Sequence, residues 1–136
     1  MSSERALRVY LVEDSAVLRA RLTESLANLA TVEIVGTSDN EISAIAELPE
    51  TRCDAVVLDL QLRQGNGFNV LRAIRQADGP DRRTTVIVLT NYAFALYRHR
   101  CLEAGADYFF DKAQDYERLP EILNRVAEQR MSHNPD

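Results

Sequence analysis

The sequence predicts an α/β fold, a doubly wound (βα)5 chain around a parallel five-stranded sheet. Three observations carry that expectation. Short apolar runs alternate with amphipathic helical stretches five times along the 136 residues. The runs are apolar on both faces, so both faces need cover, which argues for a parallel sheet between helices. Several runs also end abruptly in a polar or acidic residue.

The first run, Arg8 to Glu13, reads as a buried strand ending in Glu13-Asp14-Ser15. Ser15 can cap the helix that follows, and Leu18, Leu22, Leu26 and Leu29 recur in it at helical spacing. Val32 to Gly36 is a second strand, closed by the glycine. Asn40 to Leu48 predicts a short helix bearing Ile42, Ile45, Ala46 and Leu48 and stopped by Pro49. Ala55 to Asp59 is a third strand, apolar until its last residue, and Gln61 to Gly67 a glycine-containing loop. Phe68, Val70, Leu71 and Ile74 mark the next helix, and Asp78-Gly-Pro-Asp81 a turn. Thr85 to Thr90 is the fourth strand. Ala93 to Ala104 reads as a helix with Gly105 as its C-cap. Ala106 to Phe110 is the fifth strand. Tyr116 to Arg130 is the last helix, with Leu119, Ile122, Leu123 and Val126 on one face, and His133 to Asp136 a frayed tail.

Right-handed crossovers then favour a flavodoxin-like strand order, 2-1-3-4-5. The length fits one domain over residues 1–136, its core at about 7–128. Sixteen Lys and Arg against 21 Asp and Glu give a net charge of −5, so a fold-wide basic field for nucleic acid is absent. No apolar run is long enough to span a membrane, and the N-terminus lacks a signal-peptide core. Cys53 and Cys101 fit no metal or redox spacing and read as free thiols in a reducing cytoplasm.

In an open doubly wound sheet, a site lies outside the carboxyl ends of the strands, at the switch between strands one and three. Those ends carry Glu13-Asp14, Asp59, Thr90 and, after strand five, Asp111-Lys112. Singly, each has an ordinary explanation: a carboxylate favouring a helix dipole, a threonine ending a strand, a solvated lysine. Jointly they form a chemical set. Clustered carboxylates attract a hard divalent cation, with Mg²⁺ the expected one. A lysine and a hydroxyl beside that ion are parts of a phosphoryl site, and a central carboxylate such as Asp59 can serve as nucleophile.

At this point the chain resembles the receiver domain of bacterial two-component response regulators. The matching residues are Val9-Tyr-Leu-Val-Glu-Asp-Ser15, Val57-Leu-Asp-Leu60, Gly65-Asn-Gly67, Val86-Ile-Val-Leu-Thr90 and Phe110-Asp-Lys112. The resemblance implies that Asp59 is the phosphoacceptor, served by a phosphohistidine on a sensor histidine kinase or a phosphotransfer protein. It implies that Asp14 ligates Mg²⁺ directly, Glu13 acts through water, and the backbone carbonyl of Gln61 is a further ligand. It gives Lys112 the phosphoryl contact, Thr90 the switch hydroxyl and Phe109 the switch aromatic, three residues before the lysine. Phe109 also reads as a plain core residue, and its neighbours Tyr108 and Phe110 leave the register open. Gln61 and Tyr92 fall at positions that tune acyl-phosphate hydrolysis in the family.

Departures from the family pattern are visible. Ala113 follows Lys112 where the family has a cis-proline, so a trans, differently shaped loop is expected. Arg63 replaces a common proline, and Asn91 replaces a small residue, which narrows access to Asp59.

The expected function is a stand-alone receiver acting through a downstream protein, as a monomer or weak homodimer. It is no turnover enzyme, because it catalyses only its own phosphorylation and dephosphorylation. A haloacid-dehalogenase-type phosphatase needs a second Asp two residues after its nucleophile, and Gln61 stands there. A flavin site needs a phosphate-cradling loop after strand one, where Glu13 and Asp14 repel phosphate. A binding module that has lost phosphorylation has no reason to keep Glu13, Asp14, Asp59, Thr90 and Lys112 together.

Overall fold

The computed structural model of the chain describes residues 6–132. Five strands, β1 (Leu7–Val12), β2 (Val32–Ser38), β3 (Ala55–Leu58), β4 (Thr85–Thr90) and β5 (Tyr108–Asp111), form one sheet of order β2-β1-β3-β4-β5. Every pairing is parallel. The helices between them are α1 (Ala16–Ala27), α2 (Glu41–Thr51), α3 (Gly67–Ala77) and α4 (Ala95–Glu103). A single helical turn, α5 (Lys112–Asp115), and a 3₁₀ turn (Tyr116–Arg118) lead into α6 (Leu119–Ser132).

Strand side chains alternate between two faces, and each face has its own apolar layer. Val9, Leu11, Val57, Ile87 and Leu89 pack with Leu22 and Leu26 of α1 and Leu119, Ile122, Leu123 and Val126 of α6. Tyr10, Val12, Val56, Leu58, Val86 and Val88 pack with α2, α3 and Cys101 of α4. The strands are therefore apolar throughout because both sides are covered, as expected. Only the edge strand β2, with Glu33 and Thr37 exposed, and Arg8 near the start of β1 break the pattern within a strand; the other polar residues stand at the strand ends.

Several element limits differ from the sequence reading. Gly36 does not close β2, which runs on to Ser38. The register of β1 against β2 slips between Val9 and Tyr10, and Tyr10 pairs with Gly36. A Cβ on Gly36 would stand 2.7 Å from the Tyr10 ring, so the glycine makes room for the buried tyrosine within a continuous strand. Pro49 does not stop α2 but lies inside its last turn, and Arg52 caps the helix in a left-handed conformation, φ 52°. The inward face of α2 is Ala44 and Leu48, whereas Ile42 is 76% exposed, so that part of the expected stripe is wrong. β3 stops at Leu58 and Asp59 follows it.

Helix α4 begins at Ala95 rather than Ala93 and ends at a cap on Ala104. Gly105 takes φ 107°, its N–H donates to the Leu102 carbonyl, and the Ala106 N–H donates to Cys101. That pair of bonds is a Schellman closure, which favours glycine at this position. β5 is displaced by one to two residues towards the C-terminus, and the last helix begins at Leu119 after two short turns. The expected frayed tail, 133–136, lies outside the described residues.

Gly67 controls how closely α3 approaches β3. A Cβ there would lie 2.1 Å from the Asp59 carbonyl oxygen, while the Gly67 N–H donates to Leu60. Gly67→Ala is expected to destabilise the protein by about 1–3 kcal/mol, because backbone must move. Gly79→Ala meets nothing within 4 Å and is expected to stay within about 0.5 kcal/mol of wild type. Denaturant unfolding of both variants measures the difference; equal stability would show that α3 has slack at this contact.

Candidate functional site

The carboxyl ends of β1, β3, β4 and β5 meet at one edge of the sheet, and backbone bonds fix them there. The Glu13 N–H donates to Ser38 at 2.9 Å, and the Asp59 N–H to Val12 at 3.0 Å. Thr90 and Asp111 are register partners across β4 and β5. Each polar residue thus follows an apolar strand whose packing leaves it little positional freedom.

At the centre stands the Lys112 ammonium. Its Nζ donates to Asp59 Oδ2 at 2.7 Å and lies 2.9 Å from Glu13 Oε1 and 3.1 Å from Glu13 Oε2. Glu13 and Asp59 are 3% and 4% exposed. The other Asp59 oxygen, Oδ1, accepts the Gln61 N–H, and Glu13 Oε2 accepts the Ser15 N–H. Asp14 is half-buried beside them. One carboxylate oxygen from each of Glu13, Asp14 and Asp59 lies within 4.8 Å of the others. Burial pushes the Glu13 and Asp59 carboxyls above their ordinary range, against the pull of Lys112. Lys112 is itself penalised by burial, yet the two carboxylates hold its ammonium above the ordinary lysine value. Three carboxylates share one ammonium, so the pocket keeps an excess of negative charge. Its all-oxygen donor set fits a hard divalent cation.

Thr90 is fully buried at the end of β4, and its Oγ1 accepts the Tyr92 N–H at 3.1 Å. Phe109 is 6% exposed and belongs to the apolar layer of α2, α3 and α4, with Val88 and Cys101. Tyr108 and Phe110 belong to the opposite layer, with rings 5.8 Å apart. The register around Phe109 is therefore fixed, and its ring faces inward. Gln61 and Tyr92 are exposed at the rim.

Other residues build the site without being evident in the sequence. The Arg19 guanidinium donates to the Glu13 carbonyl at 2.7 Å. Glu41 Oε1 accepts the Asn66 N–H and the Asn69 side-chain amide, which ties the loop after Asp59 to α2. After Lys112, all described peptide bonds are trans. Asp111 caps α5 by accepting the Ala113 N–H at 2.9 Å, and Asp115 accepts the Asp111 N–H at 3.1 Å. This reciprocal capping shapes the loop where a proline is missing. Asp-x-x-x-Asp across a lysine was its one sequence signal.

Residues 9–124 match the family model described as the response regulator receiver domain. The chain is 30% identical over 126 residues to the sensory transduction protein LytT of Bacillus cereus, covering 93% of this chain and 49% of that protein. It thus spans about half the length of that curated relative, and a third of a protein-glutamate methylesterase/protein-glutamine glutaminase from Koribacter versatilis that is also 30% identical. Among solved structures, it is similar to the receiver domain of sensor histidine kinase PA1611 from Pseudomonas aeruginosa, which has a magnesium ion in its active-site cleft. The TM-score is 0.76 and the identity 28%, over 91% of this chain and 99% of that one. The response regulator domain of Thermotoga maritima CheB shares the fold, at a TM-score of 0.79 and 22% identity, over 94% of this chain and 98% of that one. With the acidic pair, the central aspartate, the threonine and the lysine gathered at one sheet edge, and the family match running through all of them, the chain belongs to the response regulator receiver domains of two-component signalling.

Proposed function

We propose that this chain is a phosphorylatable switch, that Asp59 is its phosphoacceptor, and that a sensor histidine kinase or a phosphotransfer protein supplies the phosphoryl group. The observation that carries the reading is the position of Asp59, centred between the acidic pair and Lys112. A carboxylate oxygen of Asp59 attacks phosphorus, the P–N bond of the phosphohistidine breaks with its electron pair going to the ring nitrogen, and the imidazole leaves neutral, keeping the proton already on its other nitrogen. The Lys112 ammonium is already placed to follow the new phosphoryl oxygens, and Thr90 supplies a hydroxyl at the next strand end. The same groups serve hydrolysis of the acyl phosphate, so the chain acts on itself and not on a turned-over substrate. Gln61 and Tyr92, at the rim, are placed to tune access of water.

Asp14, Asp59 and the backbone carbonyl of Gln61 would hold Mg²⁺ directly. Both oxygens of Glu13 are engaged by Lys112, and Oε2 also by the Ser15 N–H, which suits a role through water. When bound, the ion supplies charge neutralisation for the incoming phosphoryl oxygens. The remodelled surface would be α4, β5 and α6 with the turn that leads into it, presenting Tyr97, Arg98, Arg100, Tyr108 and Arg118 or their neighbours. A downstream protein would read it, in the cytoplasm, from a monomer or weak homodimer centred on the one domain of residues 1–136.

Acetyl phosphate with Mg²⁺ is expected to add one phosphoryl group to the wild type and none to Asp59→Asn, read by intact mass. Equal labelling of the variant would reject Asp59. Mg²⁺ affinity is expected to fall about a hundredfold for Asp14→Ala and about tenfold for Glu13→Ala, measured by calorimetry. The reverse order would exchange the two roles. At a hundred times its dissociation constant, Mg²⁺ should stabilise the wild type by about 2.7 kcal/mol.

The switch is tested with beryllofluoride, an acyl-phosphate mimic. Amide shifts should run from Asp59 through Thr90 to Phe109 and into residues 93–104. Thr90→Ala should bind the mimic but lose the spread beyond β4. Undiminished spread in that variant would remove Thr90 from the coupling and assign it to the loop after Lys112.

A further inference from the structure

At the edge of the sheet opposite Asp59, the ends of α2 and α3 diverge over the beginnings of β3 and β4. They leave a cavity of about 440 Å³, inside the roughly 300–1,000 Å³ range of small-molecule sites. Its walls are Ile45, Leu48, Val56, Ala73, Ile74 and Ala77. Nothing in the phosphoryl chemistry uses this space.

The mouth carries an excess of positive charge. Arg52 and Arg82 both line it. Arg52 has no ion-pair or hydrogen-bond partner among the described residues, and it is the one described non-glycine residue with positive φ, at 52°. Arg82 uses one nitrogen, Nη2, to hold the Cys53 carbonyl at 2.6 Å, with Asp54 at 3.9 Å. Asp78 also lines the mouth, but its oxygens are engaged by the Arg75 guanidinium at 2.7 Å and the Thr84 hydroxyl at 3.0 Å. α2 and α3 present their carboxyl ends here, each equivalent to about half a negative charge. Asp54 is shared between Arg82 and Arg130, at 3.9 and 3.8 Å, so it offsets only part of the Arg82 charge, and the guanidinium groups at the mouth outweigh those two half-charges. Gly79, at the rim, has open space where a side chain would stand.

The geometry points to a second ligand site, between the ends of α2 and α3, for a small amphipathic carboxylate. An alkyl or aryl body fills the apolar cavity, and Arg52 and Arg82 take the carboxylate at its mouth. Two guanidinium groups over an apolar slot select an anion with an apolar tail over a neutral or cationic analogue of equal length.

The test uses the full chain and sodium octanoate below its self-association range, followed by amide spectra. Saturable shifts are expected within residues 45–56 and 73–84, with 1-octanol and octylammonium weaker. Arg52→Gln should reduce octanoate affinity about fivefold, and Gly79→Leu should block binding while beryllofluoride still shifts Asp59. Arg52 is at the surface, so its variant keeps the test valid even where replacing Arg82 disturbs the Cys53 contact. Absence of saturation would overturn the proposal. So would octanol or octylammonium binding as tightly as octanoate, or octanoate binding unchanged in Arg52→Gln.

Discussion

The Lys112 ammonium, held between Glu13 and Asp59, is the contact on which the site depends. Two nearly buried carboxylates next to a third would repel one another and lose hydration, at a cost of several kcal/mol per ion without a partner. The ammonium offsets part of that cost, and the Gln61 and Ser15 amides offset more. It does not remove the imbalance, because three acids share one base. The same triad therefore does two things. It allows charged groups to sit where packed strands end, and it leaves a standing demand for further positive charge.

The two edges of the sheet manage charge in opposite ways. At the amino edge, Asp54 accepts the Arg8 N–H at 2.9 Å and faces Arg82 and Arg130 at 3.9 and 3.8 Å. Asp107 accepts the Val86 N–H and pairs with both Arg75 and Arg83. Acids there have guanidinium partners and fasten strands and helices together. At the carboxyl edge the acids outnumber their cation. That difference, more than the depth of any cleft, sets the carboxyl edge apart as the one with an unmet demand for positive charge.

Much of this was legible in the sequence for one reason. Both-faces-apolar runs such as Ala55 to Leu58 leave little choice but a covered parallel sheet, and a polar residue directly after such a run has to emerge at its carboxyl end. The order and identity of Glu13, Asp14, Asp59, Thr90 and Lys112 could therefore be read as a spatial cluster. What the sequence hid were effects that depend on a neighbour from elsewhere in the chain. Gly36 looked like a strand end because the Tyr10 ring resting on it belongs to another strand. Pro49 looked like a stop, but in the last turn of a helix a missing N–H leaves one carbonyl unpaired at an end already short of partners. Ile42 fitted a helical stripe, yet the sheet takes Ala44 and Leu48. Arg19 and Glu41 support the site through carbonyl and amide contacts that no spacing announces.

Phe109 joins these two levels. Its ring lies in the apolar layer that also holds Val88, Cys101, Ile74, Val56, Cys53 and Leu48. That layer reaches from the strand end beside Thr90 to the cavity between α2 and α3. Interiors packed near crystal density do not absorb a change in side-chain volume locally. A change of side-chain volume at Phe109 is therefore felt along the layer, at whose other end lies a cavity of about 440 Å³. Arg98, whose guanidinium donates to the Phe109 backbone carbonyl at 3.4 Å, ties the same residue of β5 to α4. The apolar layer and α4 thus meet at Phe109, three residues before Lys112 in the chain.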